Sequence, residues 1–327
     1  MSNLKILGIG NALVDIMVQA LDDQLISNLK LPKGGMTLVD GEVSALIQKE
    51  ISHLTVKIAT GGSVANAING IAALGAGCGY VGAIGQDDLG SLFKNEMIKR
   101  GIGVVLKELE LPTGNAVGFV SPDGERTFAT YLGAAVEMGP DDIIPELFIG
   151  YDLFFIEGYL VFNHALIMAA ASAAKSAGLT IALDLASFNV VEANMEILNE
   201  LVDNYIDIVF ANEEEAKSFT GLVPEAALEN LAGRCDIAIV KVGKEGAFVQ
   251  QGVQKWHIPT TAGTKVIDTT GAGDFFAAGF LAGLAAGHHL EKCGKIGALL
   301  AGEVIQVIGA ELEDTHWASI KKQVELI

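Results

Sequence analysis

Short apolar runs alternate along this chain with longer stretches in which apolar positions recur every three or four residues. Residues 4–9 form such a run, closed by glycine, and read as a buried strand; residues 56–59 read as another. In 63–74, Val64, Ala67, Ile68, Ile71 and Leu74 fall on one helical face. A strand over 78–84 precedes a helix over 89–99 that Gly101 stops. Further strands are expected at 152–156, 179–183, 206–210, 238–242 and 247–250. Helices are expected at 164–177, 190–202 and 213–219, and again from Asp274 to the C-terminus. Repeated strand–helix units imply an α/β protein whose mainly parallel sheet is covered on both faces.

Two regions break the rhythm. Residues 12–40 hold short pieces around Pro32, Gly34 and Gly35. Residues 103–132 read as three strands, 104–109, 116–120 and 126–131, the last two joined by the turn signal Ser121-Pro122-Asp123-Gly124. Strands without intervening helices do not fit a doubly wound sheet, so these segments are expected to build a small β-sheet that projects as a lid. With no linker or repeat in view, residues 1–327 are expected to form a single domain with lid segments at about 12–40 and 103–132.

Half of the 327 residues are hydrophobic, enough for a large core, and 40 acidic against 21 basic residues give a formal charge of −19. That balance disfavours nucleic acid and anionic membranes as partners but leaves room for phosphate ligands held by backbone amides and a metal ion. Three cysteines without a C-x-x-C spacing suit a reducing compartment. The first residues lack signal-peptide character, and the apolar run 275–287 is too short to span a bilayer. A cytoplasmic protein is therefore expected.

The stretch with the most chemistry is Asp268-Thr269-Thr270-Gly271-Ala272-Gly273-Asp274, just before that apolar run. Two glycines at a helix start offer backbone N–H groups to an anion such as phosphate. Asp274 beside that anion suits a base that takes the proton of an attacking hydroxyl. The alternative is a capped buried helix with Asp274 in its first turn. No G-x-x-x-x-G-K-[ST] sequence occurs, which disfavours a Walker-type ATPase. Gly77-Cys78-Gly79-Tyr80-Val81-Gly82 spells G-x-G-x-x-G but lies on a strand after a helix, the wrong context for a dinucleotide fingerprint.

Other polar residues fall at the expected carboxyl ends of strands, where open α/β sheets bind ligands. They are Asn11 and Asp15; Gly61 and Gly62, with Asn66 following; Asn212 and Glu215; and Lys241 and Gly243. Each has a plainer reading: Asn11 as a turn former, Gly61-Gly62 as a tight turn, Asn212 with Glu215 as a helix capping box. Together they argue for a site that holds a polyhydroxylated ligand and a phosphate donor.

Taken as a set, these motifs resemble the ribokinase-like, or phosphofructokinase B (PfkB), family of carbohydrate and nucleoside kinases. The resemblance rests on Gly61 to Asn66 through Leu74-Gly75 to Gly82–Gly90, on the 268–274 loop, on Asn-x-x-Glu at Asn212 and Glu215, and on Lys-x-Gly-x-x-Gly at Lys241, Gly243 and Gly246. It implies a three-layer α/β/α core with a small β-sheet lid. It implies Asp274 as catalytic base and Gly271, Ala272 and Gly273 as the anion hole. It places Asn11, Asp15, Gly35, Gly61, Gly62 and Asn66 on the substrate. Asn212, Lys241, Gly243, Gly246, Thr269, Gly271 and Gly273 fall to the nucleotide, whose adenine would lie between the 241–246 region and the C-terminal helices. Glu215 and Asn212 would act on Mg2+ through water. ATP and Mg2+ are the implied cofactors, with a monovalent cation such as K+ left open.

Asn11 and Asp15 stand four residues apart, which resembles adenosine kinases, where ribokinases typically show two. Residues 33–38 and 304–306 also resemble adenosine kinases; Val307 departs from an arginine common in relatives. The implied reaction is transfer of the γ-phosphoryl group to a primary hydroxyl of a ribose-containing substrate, adenosine to AMP first. A free sugar such as ribose or fructose is the alternative acceptor, and a non-catalytic nucleotide- or sugar-binding regulator a remote one. The implied partners are a small-molecule nucleoside or sugar, with a monomer or a homodimer through the lid. Arg126 either reaches the substrate pocket or decorates the lid.

Overall fold

The computed structural model describes residues 4–19, 24–121, 126–261 and 263–327. Its strands are β1 (Ile6–Ile9), β2 (Leu13–Gln19), β3 (Met36–Leu38), β4 (Val56–Gly61), β5 (Cys78–Gly85), β6 (Gly103–Leu109) and β7 (Gly114–Val120). They continue with β8 (Arg126–Tyr131), β9 (Leu153–Glu157), β10 (Thr180–Asp184), β11 (Ile208–Asn212), β12 (Ile237–Lys241), β13 (Ala247–Gln251) and β14 (Gln254–Ile258). Among the described residues these build a nine-stranded sheet, β14-β13-β12-β11-β10-β9-β1-β5-β6, and a five-stranded sheet, β3-β8-β7-β2-β4. From β12 to β6 the large sheet is parallel; β13 and β14 continue it antiparallel.

The strands at the centre of the large sheet are apolar on both faces because helices cover both. Phe155, Ala182, Ile208 and Ile239 point to one side, where the helices Ser63–Ala73, Ala272–Ala285 and Leu290–Val304 pack. Their neighbours Phe154, Ile181, Val209 and Val240 point to the other, under the helices His164–Ser176, Met195–Asn204, Glu213–Thr220 and Pro224–Ala232. Alternation of side chains across the pleat thus feeds two cores from continuous apolar runs. This is the expected three-layer architecture.

The two sheets divide the strands differently from the sequence reading. Residues 56–59, expected in the buried core, belong to β4, an edge strand of the small sheet paired antiparallel with β2. Lys57 and Ile58 are exposed there, and a charge in mid-strand fits an edge better than a strand buried on both faces. Residues 104–109, expected in the lid, belong to β6, which pairs parallel with β5 after the helix Asp88–Lys99 and so completes a β–α–β unit. The small sheet has a packed underside: Val14, Ile16 and Val18 of β2 lie with Val117 and Phe119 of β7 and with Ile47 and Ile51 of the helix Gly41–Ile51. The expected helix over 190–202 is two helices, Phe188–Ala193 and Met195–Asn204, because Asn194 leaves helical geometry and turns its Nδ2 back onto the Val190 carbonyl at 2.9 Å. Pro122 to Gly124 of the expected turn and the Arg126 side chain lie outside what is described.

Asp87 ties the layers together. Its Oδ1 accepts from the Gly90 N–H at 2.8 Å and from the Thr113 hydroxyl at 2.6 Å, and its Oδ2 accepts from the Thr113 N–H at 2.8 Å. The Thr113 hydroxyl oxygen in turn accepts from the Gly85 N–H at 2.9 Å. One carboxylate thereby caps a helix, anchors the end of β5 and pins the residue before β7. Burial pulls this carboxyl up, but the hydrogen bonds outweigh it and hold it below its usual range. Asp87→Ala should lower the unfolding free energy by about 2–4 kcal/mol at neutral pH, a cap plus charge-assisted bonds. A depressed folded pKa gives stability that is present above the unfolded value and lost as pH falls through the folded one, so the difference should shrink in acid. Urea titrations at neutral and acid pH check both; a neutral-pH loss under about 0.5 kcal/mol contradicts the role.

Candidate active site

Four adjacent strands of the large sheet each end in a polar residue: Glu157 on β9, Asp184 on β10, Asn212 on β11 and Lys241 on β12. Asp184 is in register with Glu157, and Lys241 with Asn212. Each closes an apolar run, so the chemistry collects along one rim. Asn11 follows β1, the next strand along.

The helix Ala272–Ala285 points its N-terminus at this rim. Gly271 is its N-cap in the left-handed region, with φ 76°, a conformation that side chains other than glycine's rarely adopt. Ala272, Gly273 and Asp274 follow in the first turn, where helix geometry leaves N–H groups without intrahelical partners. Asp268 is fully buried behind them; its Oδ1 accepts from the Thr270 N–H and its Oδ2 from the Gly309 N–H, both at 2.7 Å, which fixes the loop.

Asp274 reaches across to a second helix N-terminus. Its Oδ1 accepts from the Ser63 hydroxyl at 2.7 Å and its Oδ2 from Asn66 Nδ2 at 2.9 Å. Burial pushes the carboxyl up, the Asn66 and Ser63 hydrogen bonds pull it down, and the balance leaves it at about 6. Asn66 Oδ1 is buried beside it without a protein partner, an acceptor free for a ligand hydroxyl. Gly62, with φ 98°, caps the Ser63 helix so close to the Asn11 carbonyl that a Cβ would collide with it. A Cβ on Gly61 would strike the Asp15 carboxyl, which burial and then the Asp274 and Asp268 charges raise to about 7. Asn11, Asp15, Gly61, Gly62 and Asn66 are therefore neighbours around Asp274. Gly35 stands apart at the start of β3, where its carbonyl accepts from the Phe128 N–H at 2.8 Å.

Three residues here escaped the sequence reading. Glu157 accepts from Asn11 Nδ2 at 2.6 Å and from the Asn11 and Val64 N–H groups at 3.3 Å each, and burial raises it to about 7. It holds the Asn11 amide by its nitrogen. Asp184 accepts from Lys241 Nζ at 2.9 Å, both side chains being mostly buried. Ser63 was visible only as part of a motif. The signal for Glu157 and Asp184 was the one that marked Asn212 and Lys241: a polar residue closing an apolar run.

Asn212 and Glu215 form a reciprocal capping box, Glu215 accepting from the Asn212 N–H at 2.7 Å and Nδ2 at 2.6 Å while Asn212 Oδ1 accepts from the Glu215 N–H at 2.8 Å. Burial and then the Asp184 charge raise the Glu215 carboxyl to about 7, against the pull of Lys241. Among the described residues no group of three His, Cys, Asp or Glu side chains is gathered to cage a metal.

Beyond the loop lies a cavity of about 590 Å³ lined by Lys241, Gly243, Gly246, Thr269, Ala272 and Gly273 on one side. Phe276, Ala298, Ala301, Gly302 and Ile305 line the other. Val307 does not line it; it packs half-buried against the apolar core. A second cavity, of about 440 Å³, reaches Asn11 and is walled by Ala135, Val136, Tyr159, Leu160 and Phe162.

Residues 43–316 match the model of the pfkB family carbohydrate kinases. The chain belongs to this family. It is 30% identical to a ribokinase of Arabidopsis thaliana, over 92% of this chain and 76% of that one. It is 26% identical to an adenosine kinase of Schizophyllum commune, over 96% and 98%. The structure superimposes on a probable sugar kinase of Rhizobium etli CFN 42 with a TM-score of 0.88, at 35% identity and full coverage of both chains. It superimposes equally well, 0.88, on an adenosine kinase of Sinorhizobium meliloti at 34% identity, covering 98% of this chain and 100% of that one. A pfkB family kinase is a phosphotransferase with an alcohol acceptor, and membership implies ATP as donor. Among the described residues no helix is long and apolar enough to cross a membrane.

If Asp274 is the base, kcat/KM should fall on the acid side through about pH 6 to 7, where Asp274 and Asp15 take up protons. Profiles at saturating ATP check this. An acid limb near the ordinary carboxylate range, at about pH 4, contradicts it.

Proposed function

We infer that the protein is a Mg2+- and ATP-dependent kinase of a nucleoside, phosphorylating the primary hydroxyl of its ribose, with adenosine as the first candidate. In this reading Asp274 accepts the proton of that hydroxyl, and the N–H groups of Gly271, Ala272 and Gly273 take the oxygens of the moving phosphoryl group. ATP occupies the 590 Å³ cavity, with its adenine between the 241–246 segment and the helix Leu290–Val304. Asn212 and Glu215 act on the magnesium ion through its water, Glu215 using lone pairs that its capping bonds leave over. Asn11, Asp15, Gly62 and Asn66 take the ribose hydroxyls, and the small sheet shields them from water as a lid. A cytoplasmic setting fits this chemistry.

The observation that carries the choice of a nucleoside is the 440 Å³ cavity at Asn11, where Tyr159, Phe162 and aliphatic side chains form one part of the wall and Asn163 and His164 a polar part. A free sugar presents hydroxyls on every side and has no use for such a wall, whereas a purine buries an apolar aromatic surface there. The second reading, a free sugar, is favoured by the 30% identity to the Arabidopsis ribokinase.

Acceptor kinetics separate the two. Adenosine should exceed both 2′-deoxyadenosine and ribose in kcat/KM by about 100-fold or more, since a site built for a hydroxyl rejects an analogue that leaves its buried partners unpaired. Asp15→Ala should weaken adenosine binding and leave ATP affinity unchanged. A higher kcat/KM for ribose or fructose would replace the nucleoside by the sugar and leave the kinase reading standing.

A further inference from the structure

Lys241 is the one residue on the polar rim whose observed partner does not explain its position. Its Nζ lies 2.9 Å from Asp184 Oδ2, with side-chain exposures of 15% and 10%. Burying an ion pair this deeply seldom gains stability over apolar packing. An ammonium has three N–H donors, and Asp184 uses one at 2.9 Å. The same Nζ lies 3.1 Å from where a Cβ on Gly273 would stand, directly over the first turn of the helix Ala272–Ala285. Lys241 also lines the 590 Å³ cavity at that end, and Lys244, the other cation along the cavity, is exposed.

Charge makes the placement informative. Asp274, Asp184, Glu215 and Asp15 bring carboxylates to one pocket, and a triphosphate adds more negative charge. Burial works against the Lys241 ammonium, but Asp184 and Glu215 outweigh it and keep the group protonated through the physiological range. Resting on the proposed kinase reading, we propose that Lys241 is a catalytic residue that donates to the oxygen between the β- and γ-phosphorus atoms as phosphoryl transfer proceeds, and that Asp184 is the positioning residue that aims it. In that step the acceptor oxygen bonds to the γ-phosphorus, and the bond from that phosphorus to the bridging oxygen breaks. The electron pair of the broken bond stays on the ADP oxygen, and the acceptor's proton goes to Asp274. Negative charge grows on the bridging oxygen as this happens, so the ammonium binds the transition state more strongly than it binds ATP.

The test measures single-turnover phosphoryl transfer, ATP affinity by calorimetry and the Mg2+ titration for the parent, Lys241→Met, Asp184→Asn and the double variant. The double variant removes both members of the buried pair, so it is the control for a fold lost with Lys241→Met alone. Lys241→Met should slow transfer by about 10²–10³-fold, as for loss of one preorganised donor, with ATP affinity moving by less than about fivefold. Asp184→Asn should slow transfer without changing the Mg2+ requirement. The double variant should be no slower than Lys241→Met, because both substitutions act through one group. Transfer by the double variant within about threefold of the parent, or a loss carried wholly by ATP affinity, overturns the role of Lys241 while kinase activity stands. A raised Mg2+ requirement in Asp184→Asn, or multiplying single effects, overturns the positioning role. A parent chain that binds ATP and transfers no phosphoryl group overturns both this proposal and the reading beneath it.

Discussion

The site turns on a concentration of buried carboxylates at the carboxyl rim of a parallel sheet. Asp15, Glu157, Glu215 and Asp274 are all pushed up, to about 7, 7, 7 and 6, chiefly by burial. A pocket of this kind costs folding free energy, because each charge loses water and faces its neighbours. The chain offsets part of that cost locally. Two helix N-termini meet at Asp274, backbone N–H groups and the Asn11 amide serve Glu157, and one ammonium stands among Asp184 and Glu215. What stays uncompensated is buried negative charge, which hydroxyl donors or a cation from a ligand would offset.

The fold places these groups by simple means. A parallel sheet sends the ends of β9 to β12 to one edge, so a single polar residue after each apolar run is enough to build a line of them. The helix Ala272–Ala285 is almost wholly apolar after its first turn, which alone faces this rim. The small sheet packs its underside into the same apolar core as one face of the large sheet, and Asp87 adds a polar tie to it through Thr113. The Gly85–Gly90 segment thus serves architecture.

Much of this was legible because it is local. The Gly271-Ala272-Gly273-Asp274 sequence announces a helix start with a carboxylate in its first turn, and the structure has that helix start. The strands of the sheet's centre announce themselves as apolar runs. The division of strands between sheets was hidden, because pairing is non-local: β4 and β6 look alike as short runs, and only their partners separate them. The strand β14 and the helix Pro224–Ala232 escaped for want of strong periodicity. Glu157 and Asp184 were missed because one acid after one strand has no spacing to notice. Their roles exist only through Asn11, 146 residues away, and Lys241, 57 residues away.

The central claim is that Asp274, held between Ser63 and Asn66, is the base of a phosphoryl transfer over the 271–273 amides. Its most direct test is the turnover of Asp274→Asn with ATP and the best acceptor, beside ATP affinity by calorimetry and thermal stability. The account predicts a fall in kcat of about 10²–10⁴-fold, as for a lost general base, with ATP affinity and folding nearly intact. A variant that keeps more than about a tenth of parental kcat would leave Asp274 as a helix-capping acid and contradict the account.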